Sequence, residues 1–168
     1  MKKVGIFYGS DTGSTEEIAK VLGKKLNASS DVFDVSRADT AQLGNYDVLF
    51  LGSSTQGYGD LQDDWDSFID KLKKADLNGK KVAVFGLGDS STYSDTFCDA
   101  IGVIAKAAKE AGATLIGDKV DSAGYSFDDS AALVDGSFCG LPIDEDNESE
   151  QTEDRLNGWL SGLKGDLE

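Results

Sequence analysis

The chain has 168 residues, enough for one domain with a proper core. It has no histidine, and its two cysteines, Cys98 and Cys139, have no CxxC spacing; this argues against a zinc or iron–sulfur centre and removes the commonest general base. Sixteen basic residues against 31 acidic ones give a net charge of -15, which repels nucleic acid and anionic membrane.

An apolar run predicts the first strand at residues 3–8. Behind it comes the loop Gly9, Ser10, Asp11, Thr12, Gly13, Ser14, Thr15, and then a helical pattern of Ile18, Leu22 and Leu26. A strand that ends in glycines and hydroxyls and opens a helix is suited to hold a phosphate. The glycines let the backbone approach, and the first helical N–H groups lack internal partners. The loop contains no cation, so it is neither the lysine-bearing triphosphate loop nor the three-glycine dinucleotide fingerprint. One terminal phosphate monoester, bound without metal, suits it. A plain helix cap, with Ser14 and Glu17 as a capping box, is the structural alternative.

Further strands are expected at residues 32–35, 48–52 and 82–86. A fifth is expected at 115–116, continuing near 138–143. Residues 38–46 are expected to hold only a helical turn. Helical periodicity links Trp65, Phe68, Ile69 and Leu72, then Phe97, Ile101, Ile104, Ala105 and Ala108, and finally Leu156, Trp159, Leu160 and Leu163. Strands apolar on both faces and alternating with helices imply a parallel sheet covered on both sides, in a single domain spanning residues 1–168. Residues 118–137, rich in Gly, Ser and Asp, read as an irregular insertion that interrupts the fifth strand. No apolar run is long enough to span a membrane, and the N-terminus lacks a signal-peptide core, so a soluble cytoplasmic protein is expected.

The first, third and fourth strands end in similar loops. The third gives Gly52, Ser53, Ser54, Thr55, Gln56, Gly57, Tyr58, Gly59 and Asp60. The fourth gives Gly86, Leu87, Gly88 and Asp89, followed by Tyr93. In a doubly wound α/β sheet of order 2-1-3-4-5 these loops converge at the topological switch point. They offer hydroxyls, glycines and an aromatic face but no nucleophile–base pair. That is a cradle for a flat phosphorylated cofactor whose own ring does the chemistry.

These motifs resemble those of the flavodoxins, and the resemblance covers nearly the whole chain. Residues 10–15 are similar to the family's T/S-x-T-G-x-T pattern. The split fifth strand, with Gly124, Tyr125, Ser126 and Phe127 in the insertion, resembles the long-chain subgroup. The resemblance implies three layers around a five-stranded parallel sheet. It also implies one tightly bound FMN that shuttles single electrons at low potential, in a carrier rather than an enzyme. Ser10, Asp11, Thr12, Gly13, Ser14 and Thr15 would surround the phosphate. The ring would lie between Ser54, Thr55, Gln56, Gly57 and Tyr58 on one side and the segment from Leu87, Gly88 and Asp89 to Cys98 on the other. Tyr93 would stack on the outer face, Asp89 would meet the pyrimidine end, and Asp146 would meet the ribityl chain. Many family members have a tryptophan where this chain has Gln56. Gly57 is expected to let the 57–58 peptide rotate on reduction, because the rotated turn needs positive φ at one central position. The implied partners of a monomeric carrier are basic-faced redox enzymes, such as a flavodoxin/ferredoxin reductase, drawn to the acids of 60–66 and 144–148.

Overall fold

The computed structural model describes residues 2–26 and 30–168. Strand β1 (Val4–Gly9) leads through α1 (Ser14–Lys25) to β2 (Ser30–Asp34). The single helical turn α2 (Thr40–Leu43) precedes β3 (Val48–Gln56), β4 (Asp60–Leu61) and α3 (Asp63–Lys74). Then come β5 (Lys81–Leu87), α4 (Asp99–Glu110) and β6 (Thr114–Leu115). Short strands β7 (Val120–Asp121), β8 (Leu133–Val134) and β9 (Ser137–Phe138) follow, and the chain ends with β10 (Leu141–Ile143), α5 (Thr152–Gly162) and α6 (Lys164–Leu167).

The central sheet runs β2-β1-β3-β5-β10, all parallel, which is the expected order with the fifth strand split. Strand β6 pairs with the start of β5, at Lys81 and Val82, and β10 pairs with its end, from Phe85 to Leu87. Side chains alternate between the two faces, as the pleat requires. Phe7, Leu49, Leu51, Val82 and Val84 pack with Trp65, Phe68, Leu72, Ile101 and Ile104 of α3 and α4. Ile6, Tyr8, Val48, Phe50, Ala83 and Phe85 pack with Ile18, Leu22, Leu156 and Trp159 of α1 and α5.

Four expectations need correction. First, β3 runs four residues past Gly52 and folds back on β4, with Thr55 opposite Leu61 and Gln56 opposite Asp60. The expected third-strand loop is therefore a tight hairpin. Second, residues 118–137 are irregular only in part: residues 120–121, 133–134 and 137–138 form a small antiparallel sheet, β7-β9-β8. Two-residue strands are too short to show periodicity. Third, Phe138 thus belongs to this small sheet, and the continuation of the fifth strand begins only at Leu141. Fourth, Phe97 precedes α4 rather than riding on it, because Cys98 takes a left-handed conformation (φ 53°) and turns the chain. Phe97 faces the insertion instead, with its ring 5.5 Å from Phe127 and 6.1 Å from Phe138. Arg155 of α5 closes this cluster, its guanidinium 3.9 Å from the Tyr125 ring centre and 2.9 Å from the Gly124 carbonyl oxygen.

Gly52 lies beside Phe85, its partner on β5. A Cβ there would sit 2.1 Å from the Phe85 ring. Gly52→Ala should destabilise the protein by roughly 1–3 kcal/mol through overpacking. Urea denaturation checks this: the midpoint should fall with little change in slope. An unchanged midpoint would mean that the ring re-seats without cost.

Candidate cofactor crevice

The C-terminal ends of β1, β3 and β5 open into a crevice of about 330 Å³. Ser10, Asp11, Thr12, Ser14 and Thr15 line it from β1, and Ser54, Thr55 and Gln56 from β3. Leu87, Gly88, Asp89 and Tyr93 line it from β5, and Glu145 and Asp146 from the segment after β10. Two larger clefts, of about 740 and 770 Å³, flank the insertion. Neither is lined by the loops that follow β1, β3 and β5, so the chemistry of those loops singles out the smaller space.

The structural alternative, a capping box of Ser14 and Glu17, does not form. The N-cap of α1 is Gly13, at φ 92°, and no side chain caps it. The helix ladder begins with the Glu17 N–H donating to the Gly13 carbonyl at 3.0 Å. The N–H groups of Ser14, Thr15 and Glu16 are left outside that ladder, at the positive end of the dipole. The Gly13 N–H donates to Ser10 Oγ at 3.0 Å, which curls the loop. At this end of the crevice hydroxyls and N–H groups outside the ladder stand beside the Asp11 carboxylate, and among the described residues no cation lines the space.

On the opposite wall, Thr55 Oγ1 accepts the Ala100 N–H at 3.0 Å, tying the end of β3 to the start of α4. The Gly59 N–H donates to the Gln56 carbonyl at 3.2 Å and closes the turn. Gly57 has φ 52°, the left-handed region that a glycine enters without steric cost. Tyr58 is 92% exposed and is not among the residues that line the crevice. The Gln56 side chain donates through Nε2 to the Asp11 carboxylate.

The Asp89 carboxylate organises its own loop. It accepts the Ser91 and Thr92 N–H groups at 3.1 and 3.0 Å, and Asn147 Nδ2 at 2.8 Å. Burial alone would raise this carboxyl, but those hydrogen bonds outweigh it and hold it below the usual range. Asp146 shifts the other way, raised first by burial and then by the charges of Asp89 and Asp144. Tyr93, 39% exposed, stands at the crevice mouth. Cys98 is fully buried beneath Gly88, where a Cβ would come within 2.7 Å of the sulfur. Burial pushes its thiol well up, and it does not line the space.

Three residues that sequence reasoning missed support these walls. Glu145 lines the crevice directly. Gln62 is fully buried at the N-cap of α3, a position where a glutamine carries no capping signal. Asp144 is fully buried, although it begins a run read as a surface acid patch. Its carboxylate accepts the Ser90 N–H at 3.3 Å, the Ser90 hydroxyl, the Asn147 N–H at 3.1 Å and Asn147 Nδ2 at 3.0 Å. This network locks the Asp89–Tyr93 loop to the segment after β10. Asp144→Ala strands these donors and should cost roughly 1–3 kcal/mol of stability. A urea midpoint equal to wild type would show that other acceptors replace the carboxylate.

Comparison with known proteins agrees with this geometry. The family model described as Flavodoxin matches residues 6–159. A flavodoxin of Synechocystis sp. is 43% identical over 98% of this chain and 97% of its own length. Flavodoxin 1 of Escherichia coli is 44% identical over 99% of this chain and 96% of its own. The crystal structure of Fusobacterium nucleatum flavodoxin bound to flavin mononucleotide superposes with a TM-score of 0.93, at 26% identity and full coverage of both chains. In sequence, sheet order and crevice alike, the chain belongs to the flavodoxin family.

Proposed function

We infer that this chain binds one FMN non-covalently in the crevice and carries electrons, at low potential, between redox enzymes. The uncapped start of α1 carries this reading. It offers a glycine N-cap, three free N–H groups and a ring of hydroxyls, at the switch point of a parallel sheet. A phosphate dianion fits that set, because its hydroxyls and N–H groups can donate and the dipole favours negative charge. The Fusobacterium nucleatum relative is described as bound to flavin mononucleotide, which supports the same ligand here.

The flavin would supply a ring that takes up and releases electrons singly. The chain's task is to hold and shield it. Ser10, Thr12, Ser14 and Thr15 bind the phosphate, and Gly13 shapes their loop. Thr55, Gln56 and the 57–59 turn form one wall of the ring site; Leu87, Gly88, Asp89 and Tyr93 form the other. Asp146 and Glu145 lie near the ribityl chain. Cys98 acts only by supporting Gly88, and Tyr58 faces solvent and thus an incoming partner. Fixed carboxylates around the crevice make extra negative charge on the ring costlier, which favours a low potential.

Asp60, Asp63, Asp64 and Asp66 on one side, and Glu145, Asp146 and Glu148 on the other, leave an acidic rim suited to basic-faced reductases and oxidoreductases; Asp144 is buried and stands apart from it. Among the described residues no helix is long and apolar enough to cross a membrane. A monomer working in the cytoplasm as one domain is consistent with this role.

The first test is a flavin titration. Thr12→Ala or Thr15→Ala should weaken FMN binding by roughly 1–3 kcal/mol, the cost of losing a donor to a charged group. Riboflavin, which lacks the phosphate, should bind these variants as it binds wild type. Equal losses for both ligands would remove the phosphate assignment. For the partner, the second-order rate of reduction by a basic-faced reductase should fall steeply with ionic strength. A salt-independent rate would reduce the acidic rim to a solubility feature.

A further inference from the structure

Asp11 is an anion in a loop suited to an anion, and its two oxygens are both engaged by side-chain amides. Gln62 Nε2 donates to Oδ1 at 2.8 Å, and Gln56 Nε2 donates to the other oxygen. These two donations hold the Asp11 carboxyl below its usual range, so it is charged.

The two glutamines differ in how firmly they are fixed. Gln62 is fully buried. Its Oε1 accepts the Asp64 and Trp65 N–H groups at 3.1 and 3.3 Å, and its Nε2 also donates to Asp64 at 2.9 Å. Its backbone N–H reaches Ser53 Oγ at 3.3 Å. Gly9 presses on it so closely that a Cβ there would stand 2.1 Å from Gln62 Oε1. Gln62 is therefore an anchor. Gln56 is half-buried, at the end of β3 and the start of the 56–59 turn. A charged carboxylate only accepts, so Asp11 fixes the Gln56 amide with Nε2 inward. Among the described residues nothing donates to Gln56 Oε1, which remains an acceptor on the crevice wall. One carboxylate thus joins the phosphate loop to both ends of the hairpin segment 56–62.

We propose that Asp11 is a positioning residue for the ring end of the crevice, holding the 56–59 turn against the phosphate loop through Gln56. This rests on the reading of the crevice as an FMN site. In place of a stacked aromatic, this chain has a preorganised polar wall. Removing the tie frees that wall, and a ligand must then order it on binding.

Riboflavin titrations of Asp11→Ala, Gln56→Ala and the double variant test this. Riboflavin has no phosphate, so a residue serving only the phosphate end leaves it unaffected. Asp11→Ala should weaken riboflavin about tenfold, the factor that corresponds to about 1.4 kcal/mol. Gln56→Ala should weaken it at least as much, and the double variant no further than Gln56→Ala, because Asp11 acts through Gln56. The visible absorption band of bound riboflavin should shift in Asp11→Ala as it does in Gln56→Ala. Unchanged riboflavin affinity in Asp11→Ala, or losses that add in the double variant, would overturn the proposal while leaving the FMN reading intact. A wild-type protein that binds neither riboflavin nor FMN overturns both. Asp11 is exposed, and a urea midpoint for Asp11→Ala close to wild type confirms that the comparison is between folded proteins.

Discussion

The parallel pairing of β1, β3 and β5 is the constraint on which the crevice depends. Parallel strands must be joined by crossovers, and here the crossovers are helices packed on the two faces. Every strand therefore ends at the same edge, and the loops after these central strands are forced together. The register brings Gly9 beside Ser53, and Ser53 beside Gly86, so the three loops begin level with one another. The same geometry aims the start of α1 at the crevice. Local structure shapes each loop, but only the sheet brings the three together.

Electrostatics then shape what the crevice can hold. A chain with a net charge of -15 presents a crevice that, among the described residues, no cation lines. In the proposed function backbone N–H groups and hydroxyls provide the attraction, and three carboxylates nearby are pinned by hydrogen bonds. Asp11 is engaged by two amides, Asp89 by two N–H groups and an amide, and Asp144 by four donors from Ser90 and Asn147. Each carboxylate is thereby satisfied without a positive partner, which Asp144, fully buried, requires. Negative charge around the crevice is thus a fixed part of its architecture. It stabilises the loops, and in the proposed function it also bears on the potential of the bound ring.

The insertion shows how a segment without its own periodicity acquires structure. Its strands are two residues long and cannot persist alone. They are held by the rings of Phe97, Tyr125, Phe127 and Phe138 and by Arg155, which reaches across from α5. Most of that support comes from outside the insertion or from single aromatic residues within it. A window of local sequence therefore reads as irregular even though the fold is definite.

The sequence by itself determined the alternation of apolar strands and amphipathic helices, and hence the sheet order and the converging loops. It also carried the glycine and hydroxyl pattern of residues 9–15, because that pattern is local and each residue has a local reason to be there. The bounds of β3, the hairpin at 57–59 and the break at Cys98 were not legible, since each depends on a partner strand or on packing from a distance. The same is true of the walls of the crevice. Gln62 and Asp144 look like ordinary polar residues near a helix start and in an acidic run. Only the fold buries them, because only the fold brings Asp11 to Gln62 across 51 positions and Ser90 to Asp144 across 54. A buried polar group is specified by the donors and acceptors that surround it, and tertiary structure alone decides which these are.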